Sequence, residues 1–323
     1  MKIDLHAHAF PADFFYEMKR LYPDTVELRY GAEGQLFGVW ANTPLPSWNL
    51  EHRLADMDRA GIDIQVLSNP PLYNRLDEHS PALCRLVNDA FAQACRAAPD
   101  RFKAFAHLPF NDIKLALKEM AYALDELGFA GVLIASNVGG RYLDAPEFEP
   151  FWEEVNRRQT CVFLHPSKSP FYHDDEPATM LSFPFDTTLA AHKLIRGGLY
   201  RRYPETVLVL AHLGGALPYL ARRIDISHDF QGFFANYKMP AHRPSVEMRK
   251  LYVETALGWQ RSAFDCAREL VGIEHIVFGS DCFLRELPFM DWTTQFIDGL
   301  GLAPREREMI YSGTAARLLR LEA

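Results

Sequence analysis

With 323 residues, 48% of them hydrophobic, the chain can bury a core large enough for two ordinary domains or one α/β barrel. A formal net charge of −8 leaves no basic excess to neutralise phosphates, which excludes a nucleic-acid partner. No run of about 18 apolar residues occurs, so no membrane span is expected, and the strand pattern starts too early for a signal peptide. The five cysteines (Cys84, Cys95, Cys161, Cys266, Cys282) contain no Cys-x-x-Cys pair and are odd in number, which suits free thiols in a reducing cytoplasm.

The chain opens on Met1-Lys2-Ile3-Asp4-Leu5-His6-Ala7-His8. In an extended strand, residues i and i+2 share a face, so His6 and His8 project together past the small Ala7. Phe10-Pro11 breaks the strand. Residues 12–48 read as an insertion in which 26–30 and 35–40 pair as a short hairpin across Gly31 to Gly34. From Asn49 a repeating plan begins. Asn49 caps a helix to about Ala60, ended by Gly61. Residues 63–68 form the second strand, stopped by Asn69-Pro70-Pro71. Further strands are predicted at 102–107, 130–136, 161–165, 206–212, 251–255 and 275–280. The helices between them fall at 80–98, with Pro81 in its first turn, at 111–127, capped by Asn111, and at 146–158, 185–203, 215–223 and 260–271. Two more close the chain, at 288–299 and 304–321.

Eight short apolar strands alternating with helices predict a parallel sheet, and eight is the number that closes a TIM (β/α)8 barrel. The expected fold class is therefore α/β, one barrel domain over 1–323 with the 12–48 insertion after its first strand. An open doubly wound sheet finds no Gly-x-Gly-x-x-Gly after any strand.

A barrel enzyme builds its site at the C-terminal ends of its strands. Here those ends carry His6, His8, His107, His165, His212 and Asp281. His6, His8, His165 and Asp281 together offer three imidazoles and a carboxylate to one divalent ion, with zinc preferred over manganese or iron. His212 and Asp281 are the candidate catalytic groups. The substrate-binding candidates are His107, Asn69, Lys168, Arg141 and Phe183. Lys168, Arg141 and Arg285 sit on loops where a cation can meet a remote anionic group. Phe183, with Phe10, Phe171, Tyr172 and Trp259, can line an aromatic cleft. His173 and the remaining histidines read as surface or structural.

The motifs Met1 to His8, Leu164-His165-Pro166, Leu210-Ala211-His212-Leu213-Gly214-Gly215, Gly279-Ser280-Asp281 and Ser312 to Leu319 span the chain in one order. As a set they resemble the amidohydrolase superfamily, specifically its branch containing aminocarboxymuconate semialdehyde decarboxylase and the γ-resorcylate-type aromatic acid decarboxylases. The resemblance implies a single-metal barrel and a homodimer, with His6, His8, His165 and Asp281 as ligands and His212 as the catalytic histidine. Binuclear members bridge two metals with a lysine on the fourth strand, and residues 130–136 contain none, which implies one metal. The chain also departs from its relatives. The substrate-binding arginine of the muconate enzyme is matched by Gly38, and a second arginine, given by a neighbouring subunit, falls near Gln231. Resorcylate enzymes often carry Glu-x-His where this chain has His-x-His, and His107 looks unusual for the branch.

The expected reaction is non-oxidative decarboxylation of an unsaturated or aromatic carboxylic acid. The metal acts as a Lewis acid, His212 orients the substrate, and Asp281 relays a proton to the carbon that loses carbon dioxide. The alternative is hydrolysis of a lactone, ester or amide by metal-activated water, with Asp281 as proton acceptor. The same ligand set serves both.

Overall fold

The computed structural model describes residues 1–31, 34–40, 43–70, 77–171, 177–230, 232–233, 242–285 and 287–321. Eight parallel strands stand side by side in chain order: β1 (Ile3–His8), β2 (Ile64–Ser68), β3 (Phe102–His107), β4 (Gly131–Ala135), β5 (Cys161–His165), β6 (Val207–Leu210), β7 (Tyr252–Glu254) and β8 (Ile276–Val277). The last strand returns to the first. Leu5 N–H donates to the Phe278 carbonyl at 3.0 Å, Asp281 N–H to His6 at 2.7 Å, and His8 N–H to Cys282 at 2.8 Å. The fold is the expected TIM-type barrel.

Its interior is filled from alternate positions of the strands. Ile3, Leu5, Val66, Phe105, Leu133, Phe163, Val209 and Val277 form one buried cluster, with the Phe105 and Phe163 rings stacked at 5.7 Å. Full burial of each such side chain contributes about 1.5–3 kcal/mol. A larger apolar layer lies between strands and helices, as the near-continuous apolar runs of the strands require.

The helix Leu50–Ala60 starts and stops as its sequence predicts. Asn49 Oδ1 accepts from His52 N–H at 3.0 Å, and Gly61 adopts the left-handed conformation. The helix Ile113–Ala121 is capped by Asp112 and not by Asn111: Asp112 Oδ1 accepts from Lys114 N–H at 2.7 Å. The predicted 185–203 helix is two, Ser182–Arg196 and Leu199–Arg202, divided at Gly197-Gly198.

The insertion is larger than the expected hairpin. A helix, Ala12–Leu21, precedes an antiparallel sheet of Val26–Tyr30, Leu36–Trp40 and Thr43–Pro46. Its third strand carries Pro44 and Pro46, which an edge position tolerates. Among the described residues no helix is long and apolar enough to cross a membrane.

Candidate metal centre

β1 carries a bulge between Asp4 and Ala7 in its register with β2. Ile3 and Leu5 pack inside the barrel, so strict alternation would turn His6 outward. The bulge changes the parity and aims both histidines inward. Their ring centroids are 4.8 Å apart. The strand end is pinned on both sides. Buried Asp4 accepts from Gln65 Nε2 at 2.9 Å and from the Ser280 hydroxyl at 2.6 Å, and burial pushes its carboxyl up to about 6. Arg53 donates to the His8 carbonyl at 2.7 Å and to Gln65 Oε1 at 3.0 Å.

The Nε2 atoms of His6 and His8 lie 3.1 Å apart, as do those of His8 and His165. Asp281 Oδ1 is 3.2 Å from His6 Nε2 and 3.0 Å from His8 Nε2. The second nitrogen of each ring is engaged. His6 Nδ1 donates to Glu254 Oε1 at 3.0 Å, and His165 Nδ1 to the Pro166 carbonyl at 2.7 Å. Ser68 Oγ donates to the Ala7 carbonyl at 3.0 Å and therefore accepts from His8 Nδ1 at 3.2 Å.

These partners place the proton of every ring on Nδ1. Three Nε2 lone pairs then face one another, with no hydrogen to share. Burial drives the pKa values of His6 and His165 well below the usual histidine value, so neither ring relieves the repulsion by taking a proton. A cation among the lone pairs does relieve it. Three imidazole nitrogens and one carboxylate, their donor atoms all within 4.8 Å of one another, fit a single divalent ion.

His212 and Asp281 flank this cluster. Both hold a left-handed backbone, φ 57° at each, and Leu213 follows at φ 53°. Such conformations cost about 1–2 kcal/mol per residue outside glycine and collect at functional sites. Asp281 divides its oxygens: Oδ1 faces the histidine cluster, while Oδ2 lies 3.5 Å from His212 Nε2 in an ion-pair contact. Burial works against charge on both groups. The charges and hydrogen bonds of His6, His212 and His8 outweigh it and hold Asp281 well below the carboxylate range. Asp281 and Glu254 outweigh it at His212 and raise its pKa. Glu254, with burial as the main cause, is pushed up to about 7.

The structure does not gather all the substrate-binding candidates. His107 is fully buried at the end of β3, its backbone held by both ends of the Asn88 amide. Burial, then His8, lowers its pKa to about 3, so the ring is neutral. Asn69, also fully buried, finds no hydrogen-bond partner for either Nδ2 or Oδ1 among the described residues. The Phe183 ring lies 6.3 Å from that of His165. Lys168 follows β5, its carbonyl accepting from Asn137 Nδ2 at 3.2 Å.

Other candidates are drawn elsewhere. A turn at Gly139-Gly140, both at positive φ, carries Arg141 to the surface, where it pairs with Glu147 at 3.2 Å. Arg285 pairs with Asp56 at 3.2 Å beside a cleft that also takes in His8 and Phe10. Phe171 is exposed, and Trp259 packs against Phe289 and Trp292, so neither lines an aromatic cleft with Phe183. Tyr172, His173 and Gln231 lie outside the described residues. Gly38 has no room for a side chain: a Cβ there would sit 2.1 Å from Phe15 Cδ1.

Sequence reasoning passed over Glu254, Ser68, Asp4 and Arg53. A usable signal existed for two of them, since Asp4 and Glu254 are charged residues inside otherwise apolar strands.

A family model described as Amidohydrolase matches residues 3–321. The chain belongs to the amidohydrolase family. Among family relatives, the γ-resorcylate decarboxylase of Rhodococcus jostii is 30% identical over 295 residues, covering 84% of this chain and 87% of that protein. The 2-amino-3-carboxymuconate-6-semialdehyde decarboxylase of Dictyostelium discoideum is 27% identical, covering 87% of this chain and 81% of that protein. A crystal structure of dihydroxybenzoic acid decarboxylase from Polaromonas, with bound manganese and the inhibitor 2-nitroresorcinol, superposes with a TM-score of 0.80. It is 26% identical and covers 100% of this chain and 98% of its own. This amidohydrolase thus shares its barrel and most of its length with enzymes that remove carbon dioxide from unsaturated acids.

Proposed function

We propose that the protein is a metal-dependent, non-oxidative decarboxylase of an aromatic acid bearing a hydroxyl beside the carboxyl group. The observation that carries this reading is the convergence of three Nε2 lone pairs and Asp281 Oδ1, in a chain whose relatives act on such acids. His6, His8, His165 and Asp281 would hold the ion. When bound, a divalent ion supplies positive charge that draws a substrate oxygen and offsets charge built up in the reaction. The donor set favours zinc, and the Polaromonas relative holds manganese, so one ion of either kind per chain is the proposal.

The chain's own groups handle the proton. His212 is its holder: burial opposes charge on the ring, but Asp281 and Glu254 outweigh it and favour the charged form. It passes between His212 Nε2 and Asp281 Oδ2 and on to the ring carbon that bears the carboxyl group. That carbon gains hydrogen, its bond to the carboxyl carbon breaks, and the electron pair of that bond restores the aromatic ring as carbon dioxide leaves. A neighbouring hydroxyl makes the carbon electron-rich and eases protonation. Phe183 flanks the ring, and Asn69 and His107 offer polar contacts to its substituents.

Two further proposals follow. The exposed Phe185, Tyr219 and Ile226, on the adjacent helices Ser182–Arg196 and Leu217–Asp229, support a homodimer that covers this apolar face. Five unpaired cysteines support a cytoplasmic location.

The reading is tested with a panel of hydroxybenzoic and muconate-type acids assayed for carbon dioxide, beside lactones and esters assayed for hydrolysis. Release from at least one acid is expected. Hydrolysis without any release would favour the other reaction.

A further inference from the structure

Glu254 is fully buried at the C-terminal end of β7. Its Oε1 accepts from His6 Nδ1 at 3.0 Å and from the backbone N–H of His212 at 2.5 Å, while Oε2 accepts from Ala256 N–H at 2.5 Å. Gly279 permits this approach, since a Cβ there would lie 2.5 Å from Glu254 Oε2 and 3.0 Å from His6 Cβ. No lysine or arginine pairs with this carboxylate among the described residues.

Asp281 is the second carboxylate at the cluster. Both carboxylates bear on one ring, Glu254 at His6 Nδ1 and Asp281 at His6 Nε2. We propose that Glu254 is a positioning residue for the metal centre. It fixes the Nδ1–H tautomer of His6 and ties that ligand to the backbone of His212.

Glu254 accepts three N–H bonds across its two oxygens, and glutamine in its place accepts at one oxygen alone, so metal-free stability falls whichever role the residue has. Metal affinity separates the roles. Removal of a positioning glutamate frees the His6 ring from its Nδ1–H tautomer and weakens metal binding. Removal of a glutamate that only braces the fold would spare affinity. The inference rests on the metal centre, not on the choice of substrate.

The test compares full-length wild type with Glu254→Gln. Affinity for Mn²⁺ and Zn²⁺ is measured by competition with a chromophoric chelator, beside the thermal midpoint of each metal-free protein. Binding weaker by about 10- to 100-fold is expected, in a variant whose metal-free thermal transition stays cooperative. An affinity loss below about tenfold overturns the proposal. If Glu254→Gln fails to fold, Glu254→Asp decides, because it keeps the charge but draws it back from His6. A loss of about tenfold or more then supports the proposal, and a smaller loss overturns it. Wild type that binds neither ion would overturn the metal centre itself, a separate result.

Discussion

His212 Nε2 faces Asp281 Oδ2 at 3.5 Å, and each residue holds the same left-handed backbone, φ 57°. Neither is glycine, so the fold accepts local strain to bring an imidazole and a carboxylate together over the metal-ligand cluster. Asp281 serves both sides of that boundary, one oxygen toward His6 and His8, the other toward His212.

Asp281→Asn keeps the shape and loses the charge. Its kcat should fall about 10²- to 10⁴-fold, the range for removal of an acid/base group. Metal content measured on the same sample separates lost proton transfer from lost metal. Turnover near wild type at normal metal content would remove Asp281 from the proton path.

His212 is not one of the four convergent donors, so His212→Asn should keep its metal and lose kcat by a similar factor. The pH profile carries a sign. Burial opposes charge on this ring, but Asp281 and Glu254 prevail and raise its pKa. The protonated ring is the working form, so kcat holds below the raised pKa and falls as pH climbs through it. That alkaline limb should vanish in the variant. A limb that persists belongs to another group.

Asn69 keeps a buried donor and acceptor at the end of β2, neither with a hydrogen-bond partner among the described residues. A buried polar group of this kind costs about 1–3 kcal/mol. Asn69→Leu should therefore hold or raise the thermal midpoint while raising KM about 3- to 10-fold, the loss of one hydrogen bond to substrate. A lower midpoint with unchanged KM would make Asn69 structural.

Gly38→Ala would drive a methyl group into the Phe15 ring, which is itself buried and stacked on Phe10 at 5.6 Å. Overpacking of this kind costs about 1–3 kcal/mol. Denaturant unfolding should show that loss. An unchanged midpoint would mean that Phe15 swings aside.

The barrel and the four convergent donors were legible because both are written locally. Each strand is a short apolar run, and the four donors stand at the ends of the first, fifth and eighth. Glu254 was not legible as a partner of His6, because 248 residues separate them and only the closed barrel makes them neighbours. The strand Thr43–Pro46 hid behind two prolines, which an edge position tolerates. Arg141 misled because its loop position was clear while the turn that sends it to Glu147 was not. Asn111 and Asp112 are both good caps, and side-chain geometry chose the second.

The central claim is carbon–carbon bond cleavage at a single divalent ion. The most direct measurement is carbon dioxide released from 2-hydroxybenzoic acids by protein reconstituted with Mn²⁺ or Zn²⁺, with metal counted on the same sample. One ion per chain is predicted, with one carbon dioxide per acid consumed and none after chelation. Two ions per chain, or turnover of lactones and esters with no carbon dioxide from any acid, would contradict it.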